Sequence, residues 1–84
     1  MKINIIIGYK RFRNEHGVER LVVHVLQKPD ASDLQNGYVG FIVADVWIPE
    51  ALFGKFNQDV IGKVLDPKFA LDGKYARVID VAFN

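Results

Sequence analysis

The side chains best suited to chemistry in this chain are the cations and rings of its first 28 residues. Tyr9-Lys10-Arg11-Phe12-Arg13 places three cations and two rings in five consecutive positions, and Arg20 follows on what reads as a returning strand. Six Lys/Arg (Lys2, Lys10, Arg11, Arg13, Arg20, Lys28) stand there against Glu15 and Glu19, a charge of +4. The rest of the 84-residue chain carries five Lys/Arg against eight Asp/Glu, so the overall charge of +1 hides a basic ribbon on a slightly acidic body. An arginine fork gives bidentate, charge-assisted contacts to phosphate. A Tyr or Phe ring is a platform for an unstacked base, worth about 1–3 kcal/mol per base. The competing explanation is that edge hairpins carry Lys and Arg to stay soluble and to resist edge-to-edge pairing.

The last hairpin repeats the mixture with Lys68, Phe69, Lys74, Tyr75 and Arg77. A two-residue turn at Asp72-Gly73 sets Ala70 opposite Tyr75 and Lys68 opposite Arg77, a like-charge pair that an anionic partner would relieve. Trp47 reads as a core residue, with base stacking as the minority alternative. Leu52, Phe53 and Phe56 offer a candidate apolar patch for a protein partner.

Catalysis finds no foothold. The chain has no cysteine and two histidines, His16 and His24, with no second ligand at metal-binding spacing. No nucleophile elbow, phosphate-binding loop or dinucleotide fingerprint occurs. The expectation is a protein with no enzyme activity, catalytic residue, metal, cofactor or small-molecule substrate. Asp45 and Asp80 lie inside predicted strands and are expected to salt-bridge to Arg or Lys. The N-terminal apolar stretch breaks at Gly8, too early for a signal or a membrane span, so a cytoplasmic protein without membrane contact is expected.

These residues need strands to hold them. Ile3 to Ile7 is β-branched and too short for a core helix. Asn14-Glu15-His16-Gly17 is a turn, and Val18 to Leu26 alternates as a strand that Pro29 ends. A two- or four-residue loop would place Ile7, Tyr9, Arg11, Arg13, Val18, Arg20, Val22 and His24 on one face of the hairpin. A three-residue loop with Gly17 as a bulge would mix the faces and pair Arg13 with Glu19. The unmixed register is the favoured one. Pro29 to Gly37 reads as a mobile surface loop, and Tyr38 to Ile48 as a strand covered on both sides, with Gly40 permitting a bulge. Pro49 to Phe56 suggests a short helix starting at Pro49, Val60 to Leu65 a strand, and Asp66-Pro67 a turn. The expected fold is all-β, a single domain over 1–84, with five or six strands closed into a small OB-like barrel and at most one short helix.

The length, the cysteine-free β pattern, the run Tyr9-Lys10-Arg11-Phe12-Arg13 with Arg20, and the segment from Phe69 to Tyr75 together resemble the small single-stranded-DNA-binding proteins of filamentous phages and related mobile elements. The resemblance is one of layout over the whole chain, and the acidic stretch from Asp30 to Asp59 departs from it. It implies an OB-type barrel, a basic hairpin that meets DNA, a second hairpin that helps form a homodimer and brings an aromatic residue to the DNA, and a role in DNA replication. On this reading the nucleic-acid-binding residues are Tyr9, Lys10, Arg11, Phe12, Arg13, Arg20, Phe69 and Tyr75. The ligand is single-stranded DNA, with RNA as the alternative. A protein–protein adaptor, or an accessory factor of a replication or conjugation complex, is the other reading.

Overall fold

The computed structural model describes residues 3–84, apart from the side chain of Asp72; Met1 and Lys2, which belong to the basic ribbon in sequence, lie outside the described residues. Five antiparallel strands form one sheet: β1 (Asn4–Arg13), β2 (Glu19–Gln27), β3 (Ile42–Trp47), β4 (Val64–Asp72) and β5 (Tyr75–Phe83). Their order is β3-β2-β1-β4-β5, so β3 and β5 are open edges and no ladder joins them. The chain is mostly β, as expected, but the hydrogen bonding does not close the sheet into a barrel, and three short helical segments stand where at most one was expected.

The first turn sets the register. The Asn14 amide donates to the Val18 carbonyl at 2.9 Å, and Gly17, at φ +77°, takes the left-handed position that ends a three-residue loop. Arg13 therefore pairs with Glu19, Phe12 with Arg20 and Lys10 with Val22. This is the mixed register, and it corrects the favoured one: Tyr9, Arg11 and Arg13 share a face with Glu19, Leu21 and Val23, while Lys10, Phe12 and Arg20 lie on the other. A bulge between Ile6 and Gly8 leaves Ile7 unopposed, so that Ile6 and Tyr9 both turn inward.

The inner face of β1–β3 packs against two 3-10 helices, Glu50–Lys55 and Gln58–Val60, that lie beneath it. Ile6, Leu21, Val23, Val25 and Leu65 are at most 1% exposed, and Leu52, Phe53, Phe56 and Val60 close the core from below. Each such side chain contributes about 1.5–3 kcal/mol through burial. The proposed apolar patch at Leu52, Phe53 and Phe56 is thus core: a proline-led, glycine-containing turn has folded it under the sheet. Lys55 ties this plug to β5 through an ion pair with Asp80. That ammonium, helped by the Val81 amide 2.9 Å away, holds the Asp80 carboxyl below its ordinary value of 3.8.

Several local expectations change. Asp30 caps a short helix, α1 (Ala31–Gln35), through a reciprocal capping box with Asp33, so part of the expected loop is helical. The strand expected across Tyr38 to Ile48 is shorter and forms an edge with one exposed face, because Gly40 at φ +81° delays its start. Pro49 precedes its 3-10 helix as cap instead of opening it. The strand expected from Val60 starts at Val64, and Pro67 sits inside β4, past the last pair with β1, Asn4 with Leu65. The second hairpin turns on Gly73-Lys74, with Gly73 at φ +65°, so Lys68 opposes Asp80 and Ala70 opposes Arg77. The expected like-charge pair is absent.

β4 and β1 share two ladder pairs, Asn4 with Leu65 and Ile5 with Val64, so the rest of the β4–β5 hairpin extends as an arm. The radius of gyration, 14.0 Å, exceeds the ~12 Å usual for this length. Phe69, Leu71, Tyr75 and Ile79 on the arm are more than half exposed.

Leu21→Ala, in the core, is expected to lower the unfolding free energy in urea by about 2–5 kcal/mol. Leu71→Ala, on the arm and 83% exposed, is expected to change it by less than about 0.5 kcal/mol at concentrations where the chain is monomeric. In an NMR titration the Asp80 carboxyl should ionise below 3.8, and Lys55→Met should return it toward that value. A depressed folded pKa means that the contact stabilises the fold above the ordinary carboxylate range and stops doing so as pH falls through the folded value.

Candidate nucleic-acid interface

The mixed register divides the eight predicted residues into three groups. Lys10, Phe12 and Arg20 lie together on the outer face of the sheet. Tyr9, Arg11 and Arg13 lie on the opposite face, and Phe69 and Tyr75 lie on the arm, where the β4–β5 register puts them on opposite faces of the hairpin.

On the outer face, β3 completes what the first hairpin begins. Val22 pairs with both Lys10 and Trp47, which forms a row across three strands. Trp47 is 56% exposed and meets Phe12 edge to face, with ring centroids 6.1 Å apart. The Lys10 ammonium lies 5.3 Å from the centre of the Phe12 ring. Phe12, Asn14, Arg20 and Trp47 line an open cleft of about 350 Å³. Val22 is only 5% exposed although it faces away from the core. Arg20 is exposed and forms no ion pair among the described residues. Next along the face, the His24 ring and the Asp45 carboxylate are 2.7 Å apart, so the carboxylate expected to bind Arg or Lys is held by a histidine. Asp80, by contrast, does bind a lysine, Lys55. The outer face thus combines two cations without acidic partners among the described residues, an exposed indole in contact with a half-buried phenyl ring, and an amide side chain.

The other predicted residues are engaged differently. The Tyr9 ring packs on the core with its edge toward Phe56, at a centroid distance of 5.8 Å. Arg11 forms an ion pair with Glu19 at 3.1 Å and lies over the Phe53 ring. Arg13 is exposed opposite Glu19. These positions give Arg11 a structural role at the join between the sheet and the 3-10 plug. Phe69 helps line a separate cleft with Ile3, Leu65 and Pro67 at the root of the arm, and Tyr75 is 78% exposed near its tip.

The sequence places Trp47 in the core, and the structure places it on the solvent face. The signal was its alternation with Val43 and Asp45, which puts it on the solvent side of β3 once Ala44 and Val46 pack inward. Asn14 was read as a turn residue alone, and it also lines the cleft.

Among the described residues no group of three or more His, Asp or Glu is placed to hold a metal ion, and no helix is long and apolar enough to cross a membrane. No protein-family model matches the chain, and neither a curated protein nor a solved structure does.

Trp47 is the sole tryptophan, so its fluorescence reports directly on this face. Efficient acrylamide quenching and solvent-shifted emission in the folded protein are the expected result. A blue-shifted, protected indole would place the ring in the core.

Proposed function

We propose that the protein binds single-stranded nucleic acid, DNA in the first instance, without catalysis, through the outer face of β1, β2 and β3. The observation that carries this reading is the cleft in which the exposed Trp47 ring meets the half-buried Phe12 ring beside Lys10 and Arg20. Exposed rings attract a base that has left its stack, and cations without acidic partners attract the backbone that carries it. A duplex hides its base faces, so such a surface favours single strands. Lys10 and Arg20 hold phosphate and Phe12 and Trp47 receive bases in this reading; Arg13 adds field from the ribbon tip, and Arg11 is held by Glu19. The OB-type barrel belongs to the same proposal, supported by the bulged strands and the 3-10 plug beneath the sheet. So does a homodimer, for which Phe69, Leu71, Tyr75 and Ile79 supply uncovered apolar surface on the arm.

A protein-binding adaptor, or an accessory factor within a replication or conjugation complex, is the second reading. It is favoured by a different surface. Tyr38, Val39, Phe41 and Val43 are all at least half exposed on and before the edge strand β3, where an extended segment of a partner can add as a further strand.

Fluorescence anisotropy with labelled oligo-dT and a duplex control separates the two. The expected result is single-strand binding that weakens steeply with salt. Trp47→Ala should weaken it by about 1–3 kcal/mol, and Arg20→Ala should flatten the log–log salt slope by about 0.7. Arg11→Ala should act chiefly on stability. Absence of binding at low salt, or binding indifferent to salt, contradicts the proposal.

A further inference from the structure

The ladders of β1, β2 and β3 place four side chains that carry or can take charge on the outer face: Lys10, Arg20, His24 and Asp45. Asp45 is the carboxylate among them, and its Oδ1 lies 2.7 Å from His24 Nδ1. The two side chains are 42% and 53% exposed, so both a proton and a ligand can reach them. The charges that face the histidine are few. β1 sets Gly8 opposite it, with Lys10 at the next outer position; β3 sets Asp45 opposite it, between Val43 and Trp47; along β2 its outer neighbours are Val22 and Leu26. The Lys10 ammonium turns toward the Phe12 ring, 5.3 Å from its centre. His24 lies two residues from Val22, the middle of the row that joins Lys10 to Trp47, a step of about 7 Å along the strand. That step is within the Debye length of about 8 Å at physiological salt.

We propose that the His24–Asp45 pair makes single-strand binding on this face proton-dependent, with Asp45 as the group that weakens binding once His24 has lost its proton. The proposal rests on the nucleic-acid reading above and deepens it by adding a regulatory pair beside the cleft. The charge count supplies the sign. Lys10 and Arg20 contribute +2 to the face and Asp45 contributes −1. A protonated His24 cancels the carboxylate, and the face presents +2 to a phosphate backbone. A neutral imidazole can still donate a hydrogen bond to Asp45 from Nδ1, but the face then presents +1. Imidazole makes this change between about pH 5 and 8, while Lys, Arg and Asp ordinarily keep their charge there. Affinity therefore rises as pH falls through that range. By linkage, a bound strand favours the protonated ring to the same degree.

The test measures the anisotropy of labelled oligo-dT, which does not itself change charge in this range, at about pH 5.5 and about pH 8 and one low salt concentration. His16→Gln serves as the parent, because His16 in the adjoining turn titrates as well. The parent is expected to bind about three-fold more tightly at the lower pH, the effect of one unit charge about 7 Å from a phosphate in water. Adding His24→Gln should remove most of that dependence and leave the affinity of the higher pH. Adding Asp45→Asn instead should tighten binding about three-fold at the higher pH. Trp47 emission checks that each variant keeps its face. In an NMR titration of the ring protons, saturating oligo-dT should raise the His24 midpoint by about half a pH unit, the same three-fold seen from the side of the proton. Binding by the parent that ignores pH overturns the proposal. So does a pH dependence of equal size after His24→Gln, or an Asp45→Asn chain that binds no more tightly at the higher pH. Those outcomes leave the nucleic-acid reading standing, whereas failure to bind oligo-dT at either pH removes that reading and this proposal together.

Discussion

The length of one loop governs what this protein presents to its surroundings. Because Gly17 accepts a left-handed conformation, the first hairpin turns in three residues, and Asn14 pairs with Val18. A loop one residue longer or shorter would shift the pairing by one position and exchange side chains between the two faces of β2. In the observed register Leu21, Val23 and Val25 all enter the core, so hydrophobic burial and turn geometry select the same pairing. The outer face then inherits Lys10, Phe12 and Arg20, and β3 adds Trp47.

The rest of the molecule supports that face unequally. Beneath it, the 3-10 plug packs Leu52, Phe53 and Phe56 on the inner side, and the edge-to-face contacts of Phe56 with Tyr9 and Phe83 join the plug to the central strand β1 and the edge strand β5. The outer side chains therefore stand on strands whose inner side chains are packed, the arrangement in which a binding surface keeps its geometry. The outer part of the arm has no such backing. Its base is fastened by two ladder pairs to β1, by the Lys55–Asp80 ion pair and by Val81 in the core, while Phe69, Leu71, Tyr75 and Ile79 face water. An aromatic residue there, such as Tyr75, is positioned by the hairpin alone until something covers it.

Much of this was legible in the residues and some of it was not. The strand-rich character, both hairpins and the segregation of charge follow from β-branched runs, glycine turns and simple counting, whereas the turn expected at Asp66-Pro67 is the interior of β4. The division of the basic cluster was hidden, because in an extended Tyr9-Lys10-Arg11-Phe12-Arg13 each face receives a ring and at least one cation, and only the register says which half is outside. Sequence allowed two registers; the bulge at Ile6/Gly8 and the three-residue loop, both tertiary choices made by the core, decided between them. Trp47 was misread for a related reason: a strand rich in apolar residues looks buried on both faces, and β3 is an edge whose outer face has no second layer. Leu52, Phe53 and Phe56 erred the other way, since three apolar residues in a short proline-led segment give no sign of whether they cover a core or face solvent.

The claim on which the account depends is that the register places the ligand on one face of the sheet. Backbone and side-chain NMR shifts of the labelled protein, followed while oligo-dT is added, test it most directly. The account predicts that the perturbations concentrate on Lys10, Phe12, Asn14, Arg20 and the Trp47 indole, with Tyr9, Arg11 and the core beneath them little affected. Perturbations centred on Arg11 and Arg13, or confined to the arm around Phe69 and Tyr75, would contradict it.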